Sequence, residues 1–197
     1  MSTHESSVVI IGGGPGGYEA ALVAAHLGAQ VTVVDRDGLG GAAVLTDCVP
    51  SKTLIATADY MSEFETAAEL GVHLEDREGD HVTDAVAELG AVNRRVLELA
   101  AAQSDDIGTR LAEVGVRVVR GSGRLDGPGR VVVDGEGGEE GLSADVVLVA
   151  TGATPRVLPT AVPDGERILT WQQIYGLTKL PEQLVVVGSG VTGAELA

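Results

Sequence analysis

The chain has 197 residues, 44% of them hydrophobic, with 29 acidic against 13 basic side chains and a formal net charge of −16. That charge disfavours a nucleic-acid partner, and a single cysteine excludes a disulfide-stapled secreted fold. No apolar run approaches membrane-spanning length and the polar start MSTHESS lacks a charged-then-apolar leader, so a cytoplasmic protein without a membrane span is expected, long enough for one full domain and part of another.

Residues 8–11 (VVII) are a short all-apolar run suited to a buried parallel strand, leading straight into GGGPGG at 12–17. A helical stretch over 18–27 follows, then a second apolar run at 31–34 that ends on Asp35. Strand, glycine turn, helix, strand and terminal acid together make a dinucleotide-binding unit. Gly12 permits the tight turn, Gly14 lets backbone amides approach a pyrophosphate at the helix N-terminus, Gly17 allows close packing of helix on strand, and Asp35 accepts from ribose hydroxyls. The acid does not distinguish FAD from NAD, since both carry free adenosine ribose hydroxyls.

Beyond the loop at 40–52, a helix starting near Thr46 or Asp47 is expected to continue over 54–70. A polar, acidic linker at 71–83 forms the exposed turn of a helical hairpin, and the second helix runs over 84–114 on an apolar stripe of Val86, Leu89, Val92, Val96, Leu99, Ile107, Leu111 and Val114. Residues 116–119 resume parallel-strand character and lead into GSG at 121–123. That segment is either backbone that meets an adenine or a plain turn. Residues 130–133 and the Gly-rich 134–141 suggest a small antiparallel meander. A buried-type strand at 145–150 precedes Thr151, Gly152 and Ala153, where small residues allow close backbone approach; Pro155 and Pro159 read as an extended connection. A short helix at 171–175, a strand at 184–187 and a second glycine turn at 188–193 complete the sequence, which enters the next helix only briefly and is therefore read as the N-terminal part of a longer polypeptide.

Taken together, GGGPGGYEA, VTVVD, GLGGAAVLTDCVPSK, ATGATPRVLP and GSGVTGAEL resemble the FAD-dependent pyridine nucleotide:disulfide oxidoreductases, with the nearest likeness to dihydrolipoamide dehydrogenase and its relatives. The resemblance extends over residues 8–196. It implies an α/β fold with a doubly wound parallel sheet: a Rossmann-like FAD domain over 1–152 with helical-hairpin and β-meander insertions, then the start of a second Rossmann-like NAD(P) domain over 153–197. It also implies FAD and NAD(P)H as cofactors and a homodimer for the full-length protein. It assigns Gly12, Gly14, Pro15, Gly17, Asp35, Arg36, Gly40, Gly41, Ala42, Lys52, Gly123, Thr151, Gly152 and Ala153 to cofactor binding, and Gly188, Gly190 and Gly193 to the nicotinamide dinucleotide.

In that family the loop reads GGTCxNxGCxPSK, with two cysteines that exchange electrons with the flavin. Here Ala43 stands at the first cysteine position and Cys48 at the second. A dithiol needs two sulfurs within bonding distance, so this loop cannot store electrons as an internal disulfide. A flavin accepts hydride without any protein thiol. The resemblance thus narrows to the family's NAD(P)H:quinone reductases, whose loop also reads GGAAV, and implies a quinone or similar small acceptor. Lys52 matches the family's lysine beside flavin N5, paired with the glutamate that corresponds to Glu195; buried charges are costly unless paired. Cys48 is either a thiol activated by the helix N-terminus and Lys52 or an inert packing residue. A redox Cys48 would instead mark a single-cysteine disulfide reductase or peroxidase, and a non-catalytic FAD-binding remnant is the third reading. His4, His26, His73 and His81 show no ligand spacing, so no metal is expected.

Overall fold

The computed structural model describes residues 6–75, 78–82 and 85–197; His4 lies outside the described residues. In chain order the elements are β1 (Ser7–Ile11), α1 (Pro15–His26), β2 (Gln30–Asp35), α2 (Gly41–Leu45), α3 (Cys48–Ala67), the two-residue strands β3 (Leu74–Glu75) and β4 (His81–Val82), α4 (Leu89–Glu113), β5 (Arg117–Arg120), β6 (Ser122–Leu125), β7 (Arg130–Gly135), β8 (Gly138–Ser143), β9 (Val146–Val149), a 3-10 turn (Trp171–Gly176) and α5 (Val191–Glu195). By their contacts the residues group into two compact units, Met1–Thr46 with Ala100–Leu158 and Asp47–Leu99 with Pro159–Ala197. This grouping differs from a linear division at 152, because the segment 47–99 associates with 159–197.

The first unit is built on a parallel sheet in the order β5-β2-β1-β9, with Val9 opposite both Thr32 and Val147. Its central strands are apolar at consecutive positions because both faces are covered. Ile10, with no exposed surface, faces α1: its Cγ2 is 3.4 Å from where a Cβ on Gly17 would stand. Val9, Ile11 and Val34 face the opposite way and pack on Val131, Val133 and Leu142 of the antiparallel meander β6-β7-β8. Each such side chain contributes about 1.5–3 kcal/mol on full burial. The expected glycine turn at 121–123 is only a one-residue break. Gly121 closes β5 by donating its N–H to the Asp35 carbonyl at 2.9 Å, and Ser122 and Gly123 already pair with β7. Strand β9 departs from its buried appearance in the sequence. Val147 packs against the meander cluster, but Val146, Leu148 and Val149 are exposed; β9 is the edge of the sheet and pairs, among the described residues, with β1 alone.

In the second unit α3 begins at Cys48, one residue after Asp47, and Pro50 sits in its first turn, where a missing N–H leaves no gap in the helix ladder. The linker expected to be an open turn holds the antiparallel pair β3–β4, Leu74 opposite Val82 and Glu75 opposite His81, with Gly79 at φ +87 between them; residues 76, 77 and 83 lie outside the described residues. Helix α4 starts at Leu89 rather than 84; residues 85–88 are non-helical and Asp84 lies outside the described residues. The buried residues along α4 are Asn93, Val96, Ala100, Ile107 and Leu111, whereas Leu99 and Val86 are exposed. Spacings of three and four define the seam as expected, but it admits an amide that an apolar count passes over. The short helix expected at 171–175 is a 3-10 turn started by a capping box, in which the Thr170 N–H donates to Gln173 Oε1 at 2.8 Å.

The strand expected at 184–187 does not form. Leu184, Val185 and Val187 are exposed, Val187 to 83%. An apolar run becomes a strand only when a neighbour takes its N–H and C=O groups, and none of the described residues does so here.

Candidate functional site

The first unit carries a dinucleotide cradle. Gly12, at φ +110, leaves β1 so close to β9 that a side chain would overlap the Ala150 carbonyl, and its N–H donates to the Val34 carbonyl at 2.8 Å. Gly14 then precedes α1 with extended backbone, and Pro15 occupies the first helical position, where its fixed φ suits the helix. No acidic residue stands in the first turn of α1, so the positive end of the helix dipole is unopposed locally. Gly17 packs so tightly on the turn that a Cβ would overlap the Gly12 carbonyl oxygen.

A second loop closes on this turn. Gly40 and Gly41 both have positive φ, and a Cβ on Gly41 would stand 2.7 Å from the Gly14 Cα. The Gly40 N–H donates to the Gly13 carbonyl at 2.8 Å. Asp35 ties both loops together: its Oδ2 accepts from the Gly13 N–H at 2.7 Å, and its Oδ1 accepts from the N–H groups of Asp37 and Gly38 at 2.8 Å each. A carboxylate offers about four lone-pair directions, so the residue expected to meet a ribose already uses three to fix the backbone around it.

A cavity of about 220 Å³ opens beside Asp35, lined by Ile11, Gly12, Arg36, Gly121, Gly123 and Thr151 among others. Gly123 must be small there, since a Cβ would reach within 3.0 Å of Ile11 Cγ2 and 3.1 Å of Val34 Cγ1. Arg36 Nε donates to Asp37 Oδ2 at 3.0 Å at the same opening. A glycine-walled cavity beside a ribose-type acid and a helix N-terminus suits the adenosine and pyrophosphate of a dinucleotide. Of the other residues assigned to the cofactor, Ala42 is exposed on α2, and Gly152 and Ala153 are exposed past Thr151 and do not line the cavity.

The second unit pairs Lys52 with Glu195. Lys52 lies one turn into α3, and its Nζ donates to Glu195 Oε1 on α5. The Lys52 side chain is 62% exposed and that of Glu195 only 18%. The couple is therefore not the buried pair that the cost of desolvation suggested; the lysine reaches solvent and the carboxylate is the sheltered partner. The hydrogen bond from Lys52, then one from Ser51, hold the Glu195 carboxyl below the ordinary glutamate range. Cys48 is an exposed free thiol at the start of the same helix, which removes the reading of it as a packing residue. Gly188, Gly190 and Gly193 form a turn of their own, with Gly188 at φ +135 and Gly190 preceding α5.

Three further residues of this unit had no role assigned from the sequence. Ser51 is buried with its hydroxyl engaged by Glu195 and by the Cys48 carbonyl. Tyr175, the buried side chain of the 3-10 turn, has its phenol pushed up to about 12 by burial first and then by the Asp47 and Glu195 carboxylates. Asn93 donates to the carbonyls of Ile174 at 3.2 Å and Leu177 at 2.7 Å. The one available signal was an amide at seam spacing inside the α4 stripe.

Known proteins match this arrangement. The sequence profile described as "Pyridine nucleotide-disulphide oxidoreductase" matches residues 6–197. The chain is 54% identical over 200 residues to a protein of Mycobacterium tuberculosis named "NAD(P)H dehydrogenase (quinone)", covering 95% of this chain and 39% of that protein. It is 36% identical to a dihydrolipoyl dehydrogenase of Chlorobaculum parvum, covering 100% of this chain and 40% of that one. The crystal structure of LpdA from Mycobacterium tuberculosis superposes with a TM-score of 0.86 at 51% identity, over 96% of this chain and 41% of that one. The Escherichia coli flavoprotein disulfide reductase RclA, at 20% identity and a TM-score of 0.76, shares the fold. The chain thus spans about two fifths of the length of the curated relatives it matches.

Proposed function

Since the chain belongs to the pyridine nucleotide-disulphide oxidoreductase family, whose cofactors are FAD and NAD(P)H, we propose that it serves a flavoprotein that takes hydride from NAD(P)H and delivers electrons to a quinone or similar small acceptor without an active-site disulfide. Residues 1–152 are assigned to FAD and 153–197 to the start of the NAD(P) domain, the whole protein acting as a cytoplasmic homodimer. The observation that carries the reading is Ala43 where the dithiol chemistry requires a second sulfur, with Cys48 the single cysteine of the chain. The relative named as a quinone dehydrogenase supports the acceptor.

FAD, when bound, supplies the hydride acceptance and the onward electron transfer. The chain holds it and tunes it. The turn at Gly12, Gly14 and Gly17 receives the pyrophosphate at the α1 N-terminus, Asp35 keeps one lone-pair direction for a ribose hydroxyl, and Gly123 leaves room for the adenine. Lys52 supplies the cation that favours negative charge on the reduced ring, and Glu195 aims the ammonium. Gly188, Gly190 and Gly193 repeat the pyrophosphate turn for the nicotinamide nucleotide. The test is a full-length, FAD-loaded protein assayed with NADH and NADPH against quinone and lipoamide: quinone turnover is expected, and lipoamide turnover without quinone turnover overturns the proposal.

The exposed Cys48 thiol favours a second reading, a single-thiol disulfide reductase or peroxidase. Loss of disulfide or peroxide reduction in Cys48→Ser, with quinone activity absent throughout, would establish it in place of the first.

A further inference from the structure

The carboxylate at the end of β2 is turned toward the backbone more than toward the cavity it lines. Asp35 Oδ1 accepts from the N–H groups of Asp37 and Gly38 at 2.8 Å each, and Oδ2 accepts from the Gly13 N–H at 2.7 Å. A carboxylate oxygen has about two lone-pair directions, so Oδ1 is filled and Oδ2 keeps one. Asp35 cannot grip both hydroxyls of a ribose.

The bonds it makes close a circuit. Gly13 gives its N–H to Asp35 and takes the Gly40 N–H on its carbonyl at 2.8 Å; from Gly40 the chain leads back through Leu39 and Gly38 to the same carboxylate. Leu39, 8% exposed, packs under the first turn, where a Cβ on Gly13 would stand 2.8 Å from its Cδ2. Next to the circuit a Cβ on Gly41 would stand 2.7 Å from the Cα of Gly14, the residue that precedes α1. The carboxylate thus sets the spacing between the Gly12–Gly17 turn and residues 36–40, which link β2 to α2. Gly13 is buried, so its N–H has no water to replace Asp35, and a buried donor without an acceptor draws its segment out of place.

We propose that Asp35 is a positioning residue for the dinucleotide cradle: it braces the 36–40 loop against the glycine turn before any ligand arrives, and this preset spacing contributes more to affinity than the single ribose contact left to it. A loop already ordered by the protein does not have to be ordered by the ligand. The effect on affinity rests on the function proposed above, in which this cavity seats the adenosine of FAD; the circuit of hydrogen bonds does not.

ADP and 2′,3′-dideoxy-ADP carry the same adenine and pyrophosphate, with and without the hydroxyls that a ribose acid reads. Each is titrated against FAD on the full-length protein by flavin fluorescence, in the unsubstituted chain and in Asp35→Ala. The substitution should weaken both nucleotides at least about tenfold, and by factors equal within about threefold. Weakening of ADP with dideoxy-ADP unaffected would overturn the proposal, since the acid would then act through the hydroxyls alone. Asp35→Asn serves where Asp35→Ala does not fold: its amide nitrogen must face at least one of the three backbone donors, so it too should weaken both nucleotides alike, and a loss confined to ADP would refute the brace. If neither variant folds, amide exchange in the unsubstituted full-length protein freed of FAD decides. The N–H groups of Gly13, Asp37 and Gly38 should exchange at least about tenfold more slowly than free amides, and exchange at the free rate would overturn the proposal. Unsubstituted full-length protein that binds neither FAD nor ADP would instead overturn the reading of the cavity, and the proposal with it.

Discussion

The two glycine turns have nearly the same backbone and opposite surroundings. Gly12 and Gly188 both take positive φ, at +110 and +135, and Gly14 and Gly190 both precede a helix in extended conformation, at φ −69 and −75. Gly17 and Gly193 each press against the carbonyl of the first glycine, and the Tyr18 and Ala194 N–H groups each donate to the glycine before the helix at 2.9 Å. Yet the first turn leaves a strand paired on both sides, and the second leaves an exposed run that pairs with nothing among the described residues. A turn of this kind closes through its own short-range hydrogen bonds and glycine conformations, so sequence alone suffices for it. A strand closes through its neighbours, so it waits for them.

The sharpest way to break this comparison is to put a side chain on the first glycine of each turn. Gly12→Ala combines a disfavoured φ with overlap on the Ala150 carbonyl and should cost about 3 kcal/mol or more in urea unfolding. Gly188→Ala has the φ penalty but open space around it and should move global stability by less than about 1 kcal/mol. Equal losses would show that the second turn is as firmly embedded as the first.

Amide exchange measures the same contrast without substitution. Residues 8–11 should be protected about a thousandfold or more, as a global stability of about 5 kcal/mol allows, while residues 184–187 exchange near the free rate. Comparable protection in the two runs would refute the assignment of 184–187 as unpaired.

Between loops of the first unit the expected effect is on binding. Gly41→Ala drives a methyl toward the Gly14 Cα and should weaken FAD binding at least tenfold, about 1.4 kcal/mol, by flavin fluorescence titration. Unaltered affinity would mean that the close approach of the two loops is not needed for the cofactor.

The smallest effect belongs to the Lys52–Glu195 pair. The Glu195 carboxyl lies below its unfolded value, so whatever stability it gives is present in full above the ordinary glutamate range and is lost as pH falls through the lowered folded value. The mostly exposed Lys52 keeps that contribution small. Glu195→Gln should therefore flatten the acid limb of a pH–stability curve slightly and leave neutral stability in place; an undiminished acid limb would show that the pair has no part in it.

Much of the first unit was readable from residues 8–35, because a glycine spacing, an apolar run and an acid at a strand end have one common physical solution. The meander was readable for a similar reason, from short β-branched runs separated by glycines. The second unit was less so. Residues 71–83 form β3–β4 through a pairing that two-residue runs cannot announce, and the start of α4 fell five residues late. Lys52 and Glu195, 143 residues apart in the chain, were matched by resemblance to a family; their contact, and the sheltering of one partner only, came from the fold. Asn93 and Tyr175 had no motif at all, and Ser51 stood inside the CVPSK segment without a role of its own.

By itself, then, the sequence determined the geometry of both glycine turns, the acid at the end of the second strand, and the absence of a second redox sulfur from the loop at 40–52, since each depends on the atoms of a few adjacent residues. The tertiary structure decided which apolar runs became strands, which of two charges was sheltered, which backbone groups Asp35 ties together, and which turn the buried Asn93 amide bonds, because each of those depends on groups that the chain brings together only by folding.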